Sequence, residues 1–233
     1  MHPAALHWRQ STILTDGSAY GNGPVFPVPD HRVKVIDKAF PLESKKILEL
    51  GCWEGASTLS FLHYGANVQP TDAREENVVR ANFRLTAHGH TIIPLRLNAM
   101  DVGKYVNPDK FDAIACMGML YHLADPVGAL IECSKACPVL LLDTHYAVTG
   151  WQTGSERLDY NEMQVKVMHG LGFTVKTYYE IDVQHDSSGG IDGASIWLSR
   201  LSLFNAIYYA GYRQIEVVEH DDKNHRIILI ARW

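Results

Sequence analysis

Residues 45–55 read KKILELGCWEG, in which an apolar run leads into two glycines, Gly51 and Gly55. Glycine adopts positive φ and carries no Cβ, so a ligand can lie close against such a backbone. A helix that begins behind the turn directs unpaired N–H groups and its positive dipole end at the same point. The stretch therefore predicts a strand, a turn and a helix that hold a nucleotide-like cofactor at the carboxyl end of the strand.

Strands and helices alternate after this turn. Further apolar strands are predicted at 67–71, 91–97, 111–117 and 139–142. Helices are predicted between them; one spans 75–87, and another begins at Asp125-Pro126, an N-cap followed by proline at the first helical position. This alternation is typical of a parallel, doubly wound sheet with helices on both faces.

The alternation breaks at 146–194 and resumes with a helix over 196–210 and two strands, 214–219 and 226–231. The short polar joint between these strands predicts a terminal antiparallel hairpin. We therefore expect an α/β fold, with a doubly wound, seven-stranded, mostly parallel sheet and a lid insertion before the last helix. Its parts in order are an N-terminal arm and helix (1–40), a cofactor-binding half (41–145), a substrate lid (146–194), and the last helix with the hairpin (195–233).

Charge and composition narrow the class of protein. The chain carries 21 basic and 26 acidic side chains, a net charge of −5, which argues against broad phosphate contacts with a nucleic acid. No stretch reaches the roughly 18 apolar residues of a membrane-spanning helix. The N-terminus lacks the apolar core of a secretion signal. The cysteines predict buried free thiols in a reducing compartment, so we expect a cytoplasmic protein. They are Cys52, Cys116, Cys133 and Cys137.

The glycine spacing separates the candidate cofactors. A dinucleotide-binding turn has the pattern G-x-G-x-x-G, and Trp53 occupies the place of its middle glycine. A phosphate-binding P-loop ends in Gly-Lys-Ser/Thr, which is absent. Asp72 ends the second strand about 20 residues beyond the turn, where an acidic side chain can accept hydrogen bonds from a ribose diol. What remains is the pattern Glu49-x-Gly51-x-x-x-Gly55, followed by Asp72 and by Asp101 after the third strand.

This combination resembles the class I S-adenosylmethionine-dependent methyltransferases, whose Rossmann-like fold has seven strands and a terminal antiparallel hairpin. Residues 48–55 with their tryptophan, together with 118–126 (GMLYHLADP), narrow the resemblance. They are similar to a group related to the tRNA wobble-uridine carboxymethyltransferases, and the tail from 195 to 212 fits the same pattern. The resemblance covers about 45–143 and 195–232.

The resemblance implies S-adenosyl-L-methionine as the cofactor and assigns roles around it. Gly51, Cys52 and Gly55 would line its methionine part, Asp72 would bind the ribose hydroxyls, and Asp101 the adenine amino group. Gly118 and Met119 would flank the sulfonium. Trp53 departs from the family, which often has a small residue there, and would narrow the pocket unless it points away. The implied residues of the first motif are Glu49, Gly51, Cys52 and Gly55.

Two histidines follow carboxyl ends of strands, the active edge of this architecture. His122 and His145 are therefore candidate general bases, which methyl transfer needs only if the acceptor is a hydroxyl or a protonated amine. Either histidine could instead be structural. Asp143 and His145, two residues apart, have no third ligand nearby in the sequence, so no metal site is predicted.

Three functions stay open. The first is a methyltransferase that acts at oxygen or nitrogen of a small molecule, in a pocket closed by the insertion and the arm. The second is a tRNA-modifying (carboxy)methyltransferase, although the charge balance makes a nucleic-acid partner less expected. The third is a cofactor-binding subunit without catalysis. No membrane partner is expected, and the oligomeric state stays open.

Overall fold

The structure is a computed structural model that describes residues 8–14, 17–21, 23–150, 162–179 and 188–233. In the N-terminal arm, two short strands pair antiparallel: β1 (Thr12–Ile13) and β2 (Ala19–Tyr20). The arm was predicted to be irregular, and this small hairpin is its regular part. Within the described residues, no helix combines the length and the apolar character that crossing a membrane requires.

The main sheet has seven strands. They are β3 (Lys46–Leu50), β4 (Asn67–Asp72), β5 (Leu95–Arg96), β6 (Ala113–Met117), β7 (Val139–His145), β11 (Gln214–Asp221) and β12 (Arg226–Arg232), with β8 to β10 forming a separate sheet described below. Their spatial order is β11-β12-β7-β6-β3-β4-β5. Strands β3 to β7 pair in parallel, whereas β12 runs antiparallel to both β7 and β11. The predicted α/β class, the seven strands and the terminal hairpin are confirmed.

Helices cover both faces of the sheet. They are α1 (His31–Ala39), α2 (Ala56–His63), α3 (Glu75–Ala87), α4 (Val102–Tyr105), α5 (Pro126–Ala136) and α6 (Arg200–Ala210). Successive strand residues point to opposite faces, so Ile47 packs with α1 and α2, whereas Leu48 packs with α5 and α6. The predicted cap at Asp125 forms, since Asp125 accepts from the Gly128 N–H at 2.8 Å. Asp30 caps α1 in the same way and accepts from the Arg32 N–H at 2.8 Å.

A second sheet interrupts the main one after β7. It consists of β8 (Gln164–Met168), β9 (Leu171–Tyr179) and β10 (Ala194–Leu198), all antiparallel. Parts of the predicted insertion, 151–161 and 180–187, lie outside the described residues. Strand β10 sits against the turn after β6, because the Ile196 N–H donates to the Leu123 carbonyl at 2.9 Å.

Two predicted elements begin four residues later in the structure than the sequence suggested. The last helix begins at Arg200, not at 196, because residues 194–198 pair with β9 and the Ser199 hydroxyl then caps the helix through the Ser202 N–H. The predicted border between insertion and helix therefore falls inside β10. The third strand, predicted over 91–97, shrinks to Leu95–Arg96 at the edge of the sheet.

Candidate functional site

A cleft opens at the carboxyl ends of β3, β4 and β6, and we name it the first cleft. It spans about 710 Å³ of space outside protein atoms, part of which is open to solvent. The loop 188–191 forms one of its walls. Its other main lining residues are Gly51, Trp53, Asp72, Asn98, Gly118, Met119 and His122.

Gly51 permits the closest backbone approach at this cleft. Its φ is +67°, in the left-handed region that side chains rarely adopt. A Cβ on Gly51 would lie 2.6 Å from Cγ of Met119, which is far inside van der Waals contact. The turn after β3 and the turn after β6 can therefore lie against each other only with glycine here.

Asp72 supports the same turn from the next strand. One carboxylate oxygen accepts from the Trp53 N–H at 3.0 Å, and the other from the Arg74 N–H at 2.9 Å and the Asn77 side-chain amide at 3.1 Å. Burial raises the pKa of Asp72 above its usual value, against the effect of these hydrogen bonds. The hydrogen bond that the Trp53 N–H donates to Asp72 fixes this turn, in which Trp53 has a φ of +49°, and Trp53 lines the cleft.

A second cleft adjoins the first and spans about 1100 Å³ of space outside protein atoms, part of which is open to solvent. The N-terminal arm and the start of α1 form its outer wall. The two clefts meet at residues that line both, among them Gly51, Trp53, Gly118 and His122. The outer part of the second cleft is lined by Gln10, Phe26, Pro27, Asp30, Arg32, Tyr121 and Arg226.

A fully buried carboxylate, Asp143, organises the charges beside the second cleft. Arg226 donates to it from Nε at 2.7 Å and from Nη2 at 2.6 Å, and Arg32 donates from Nη1 at 2.9 Å. Arg32 also pairs with Asp30 through two nitrogens. Burial alone would raise the pKa of Asp143, but the hydrogen bonds and charge of Arg226, together with Arg32, hold it below the usual value.

The two candidate bases have different positions. His122 lies in the short 3-10 turn after β6 and lines both clefts. His145 lies at the end of β7, where its Nδ1 donates to the Asn224 carbonyl at 3.0 Å and its Nε2 accepts from Arg226 at 3.3 Å.

The environment of His145 keeps it neutral. Burial, and then the charge of Arg226, lower the pKa of His145, and its ring stacks on Trp197 with 5.4 Å between ring centroids. It is not among the described residues that line either cleft. His145 therefore lies away from both clefts: its Nδ1 is held by the Asn224 carbonyl, and its Nε2 contacts Arg226.

Two predicted cofactor residues, Glu49 and Gly55, support the turn and do not line the first cleft. Glu49 is fully buried and accepts from the hydroxyls of Ser57 and Thr58 at the start of α2. Burial raises the pKa of Glu49 to about 6. Gly55 precedes α2 and packs against Ala81 of α3. Glu49 and Gly55 therefore shape the turn from outside the first cleft.

Cys52 occupies an intermediate position. It is buried, its N–H donates to the Thr71 carbonyl at 2.8 Å, and it lines the second cleft but not the first. All four cysteines are buried and free. Within the described ranges, no group of three or more His, Cys, Asp or Glu side chains is close enough to hold a metal ion.

Asp101 lies away from the position expected of an adenine ligand. Its carboxylate accepts from Lys104 at 2.6 Å, and it lines a neighbouring cleft instead of the first one. Asn98 and Ala99 line the first cleft in its place. The chain turns sharply at Asn98, whose side chain accepts from the Met100 N–H at 3.0 Å, and this turn carries Asp101 to the far side.

Several residues at the two clefts could not be recognised from the sequence. Arg74 reaches over the first cleft and donates to the Gly190 carbonyl at 2.7 Å, so it ties the loop 188–191 to α3. Arg32 and Arg226 come from opposite ends of the chain and converge only in the folded protein. Asn98 carried a weak signal, because it directly follows a predicted strand.

Comparison with known proteins gives matches over most of the chain. Residues 48–137 match a family described as "Methyltransferase domain". The chain is similar to the crystal structure of the N-terminal domain of EvdMO1 in the presence of SAH and D-fucose. The two share 30% sequence identity and a TM-score of 0.73, covering 93% of this chain and 88% of that chain.

Other matches, at lower sequence identity, are also to methyltransferases. A solved S-adenosylmethionine-dependent methyltransferase from Mesorhizobium loti shares 14% identity, with a TM-score of 0.60 over 86% of this chain and 96% of that one, which shows the fold alone. A ubiquinone biosynthesis O-methyltransferase of Thiobacillus denitrificans is 29% identical over 112 residues. This match covers 48% of each sequence, so the chain spans about half the length of the curated relatives it matches.

Proposed function

The chain belongs to the class I S-adenosylmethionine-dependent methyltransferases, and on this premise we propose that it methylates a hydroxyl group of a small, sugar-like acceptor. The observation that carries the proposal is the meeting of two clefts at Gly51, Gly118 and His122. The first cleft suits the cofactor and the second suits the acceptor, so their reacting groups come together at this junction.

The residues of the first cleft fit S-adenosylmethionine, which supplies a methyl group on a positively charged sulfur. Gly51 offers a backbone surface that lacks a Cβ. A carboxylate has about four acceptor sites, and Asp72 uses three of them on described protein groups, which leaves one for a ribose hydroxyl. Asn98 lines the end of the cleft beyond Asp72, and we assign it to the base in preference to Asp101.

The second cleft fits a hydroxyl-rich acceptor. Arg226 uses three of its N–H groups within the described residues, and a guanidinium has about five, so others can donate to acceptor oxygens. Asp30 can accept from hydroxyls, and Phe26 and Tyr121 offer flat apolar faces to the ring. The EvdMO1 domain, crystallised in the presence of D-fucose, supports a sugar as the acceptor class.

His122 is the residue we propose for proton transfer, because it lines both clefts. As the acceptor oxygen bonds to the methyl carbon, the carbon–sulfur bond breaks, its electron pair stays on sulfur, and the hydroxyl proton passes to His122. Alignment of the reacting atoms and exclusion of water would provide much of the acceleration. General-base assistance contributes a further factor of about 10² to 10⁴.

The tRNA-modifying alternative, which follows from the narrower resemblance, remains a second candidate. It requires a surface that neutralises phosphates, and its binding to tRNA would weaken steeply as salt rises. The net charge of −5 favours the small acceptor. We also propose a cytoplasmic location, because the four cysteines are buried free thiols, as is usual in a reducing compartment.

Two measurements test the proposed function. Calorimetry should detect SAH binding to the wild-type protein, and Asp72→Ala should weaken it at least about tenfold, because a charged hydrogen-bond acceptor contributes about 1.5–3 kcal/mol. Unchanged affinity would place the cofactor elsewhere.

The acceptor class is tested with methyl-labelled S-adenosylmethionine. The protein is offered monosaccharides and nucleotide-activated sugars, catechols, and total tRNA, and the product that gains label is identified. We expect label in a sugar. Label in tRNA would support the alternative function, and SAH binding without turnover on any acceptor class would favour a subunit that binds the cofactor without catalysis.

A further inference from the structure

Glu54, in the turn after β3, carries a fully buried carboxylate. It lines neither cleft and instead binds the backbone of the N-terminal arm. Its two oxygens accept from the backbone N–H groups of Arg9 and Gln10, each at 2.8 Å. Each oxygen therefore accepts one charge-assisted hydrogen bond, which is the stronger kind. The partners lie more than 40 residues away in the sequence, so this contact fixes the arm against the turn.

Arg84 of α3 completes the clamp. Its side chain is 2% exposed and donates to both the side-chain oxygen and the backbone carbonyl of Gln10, each at 3.0 Å. Its guanidinium lies over the ring of Trp8 at 5.3 Å and within 3.8 Å of the Glu54 carboxylate. Burial lowers the pKa of Arg84 to about 10 although Glu54 opposes the shift, so the arginine is charged at neutral pH.

The clamped segment carries part of the acceptor wall. Gln10 itself lines the second cleft. Next to it, the Ser11 N–H donates to the Pro24 carbonyl at 3.1 Å, which joins the clamped segment to the stretch that follows. Phe26 and Pro27 of that stretch also line the second cleft. Releasing residues 8–10 would therefore loosen one side of the acceptor site.

The clamp adjoins the cofactor site through the chain itself. Glu54 follows Trp53, which lines both clefts and whose N–H is held by Asp72 of the first cleft. A ligand that orders the turn at Gly51 and Trp53 therefore also orders the backbone that presents the Glu54 carboxylate. Within this one turn, Gly51 and Trp53 line the first cleft, whereas Glu54 binds the arm.

We propose that Glu54 is a positioning residue that couples occupancy of the first cleft to closure of the arm over the second cleft, with Arg84 as its partner. The inference rests on the proposed function, because it takes the first cleft as the cofactor site and the second as the acceptor site. Coupling between two ligands is reciprocal, so the cofactor strengthens acceptor binding and the acceptor strengthens cofactor binding by the same factor.

Hydrogen exchange of the full chain, with and without SAH, tests the coupling without any variant. In the wild-type protein, saturating SAH should slow exchange of the amides of Arg9 and Gln10 at least about fivefold, the lower end of typical coupling factors. Calorimetry on the same sample establishes that SAH binds. SAH binding with unchanged exchange at both amides would overturn the coupling and leave the proposed function standing. Absence of SAH binding would overturn the proposed function and the coupling with it.

A substitution then assigns the coupling to Glu54. Glu54→Gln replaces one accepting oxygen by an N–H group that faces a backbone donor, so the arm amides should exchange faster and lose their response to SAH. With the sugar identified by the labelling assay, its KM should rise at least about fivefold, while kcat changes less than about twofold. Glu76→Gln removes the same charge from an exposed position on α3 and should change none of these quantities. A fall in kcat with unchanged KM, or an arm that still responds to SAH in Glu54→Gln, would refute the role of Glu54.

Discussion

Replacing Asp143 by asparagine should destabilise the protein by about 2–3 kcal/mol. Removing one partner of a buried ion pair typically costs about 3–5 kcal/mol, because the other charge stays buried and uncompensated. Here the side chains of Arg32 and Arg226 keep 22% and 29% of their surface exposed, so water solvates part of the freed charge. In the variant, the asparagine amide also places an N–H group where a carboxylate oxygen accepts in the wild type. Two N–H donors then face each other at this position.

Urea denaturation at pH 7 measures this change, and thermal unfolding should show a midpoint lowered by about 5–10 °C. Asp109→Asn is the matched control, since Asp109 is exposed and the same charge is lost. The control should stay within about 0.5 kcal/mol of the wild type. A change for Asp143→Asn no larger than that of the control would refute the view that this carboxylate holds the two arginines.

The pH dependence provides a second check on Asp143. The folded-state pKa of this group is held below its usual value: burial opposes the shift, and Arg226 and Arg32 outweigh it. Such a group stabilises the fold above its unfolded pKa of about 3.9, and the contribution is lost as pH falls through the folded pKa. The stability difference between wild type and Asp143→Asn should be constant from about pH 8 to pH 5 and shrink below about pH 4. A difference that persists undiminished in acid would indicate a packing effect.

Two pairs of substitutions probe the junction of the clefts. His122→Ala should lower kcat by about 10²- to 10⁴-fold, whereas His145→Ala should act mainly on the acceptor KM. Initial rates measure both quantities. Equal losses of kcat in the two variants would contradict the assignment of proton transfer to His122. Gly51→Ala should abolish SAH binding by calorimetry, because its Cβ would meet Met119 at 2.6 Å, whereas Gly89→Ala, at a similarly positive φ but with nothing within 4 Å, should retain binding.

Local patterns in the sequence were sufficient for much of the fold. The helix predicted over 75–87 has those bounds in the structure, and the terminal hairpin was readable from two apolar runs around a polar joint. The last helix was placed too early because Ile196 and Trp197 fit either a strand or a helix, and only pairing with β9 decides. Tertiary pairing overrides local preference at such positions.

The candidate site was predictable where one strand and its turn form it. Asp72 and Gly51 line the first cleft, as their spacing within the β-α unit predicts. Asp101 lines a neighbouring cleft instead, because the direction of a side chain after a strand depends on the turn, here the one at Asn98. The contacts that join Asp143 to Arg32 and to Arg226 span 111 and 83 residues of sequence. No periodicity within a single sequence indicates pairs so far apart.

The position of Arg226 in the last strand has a consequence for biosynthesis. Residues 46–123 contain four of the parallel strands and the turns after β3, β4 and β6 that line the first cleft, and they leave the ribosome well before β12. When Asp143 emerges, Arg226, which donates to it from two nitrogens in the folded protein, has not yet been synthesised. Chains fold as their segments become available, so the acceptor wall can be completed only after β12 has emerged. A nascent chain stalled before β12 is therefore expected to form its first cleft while the second is still open.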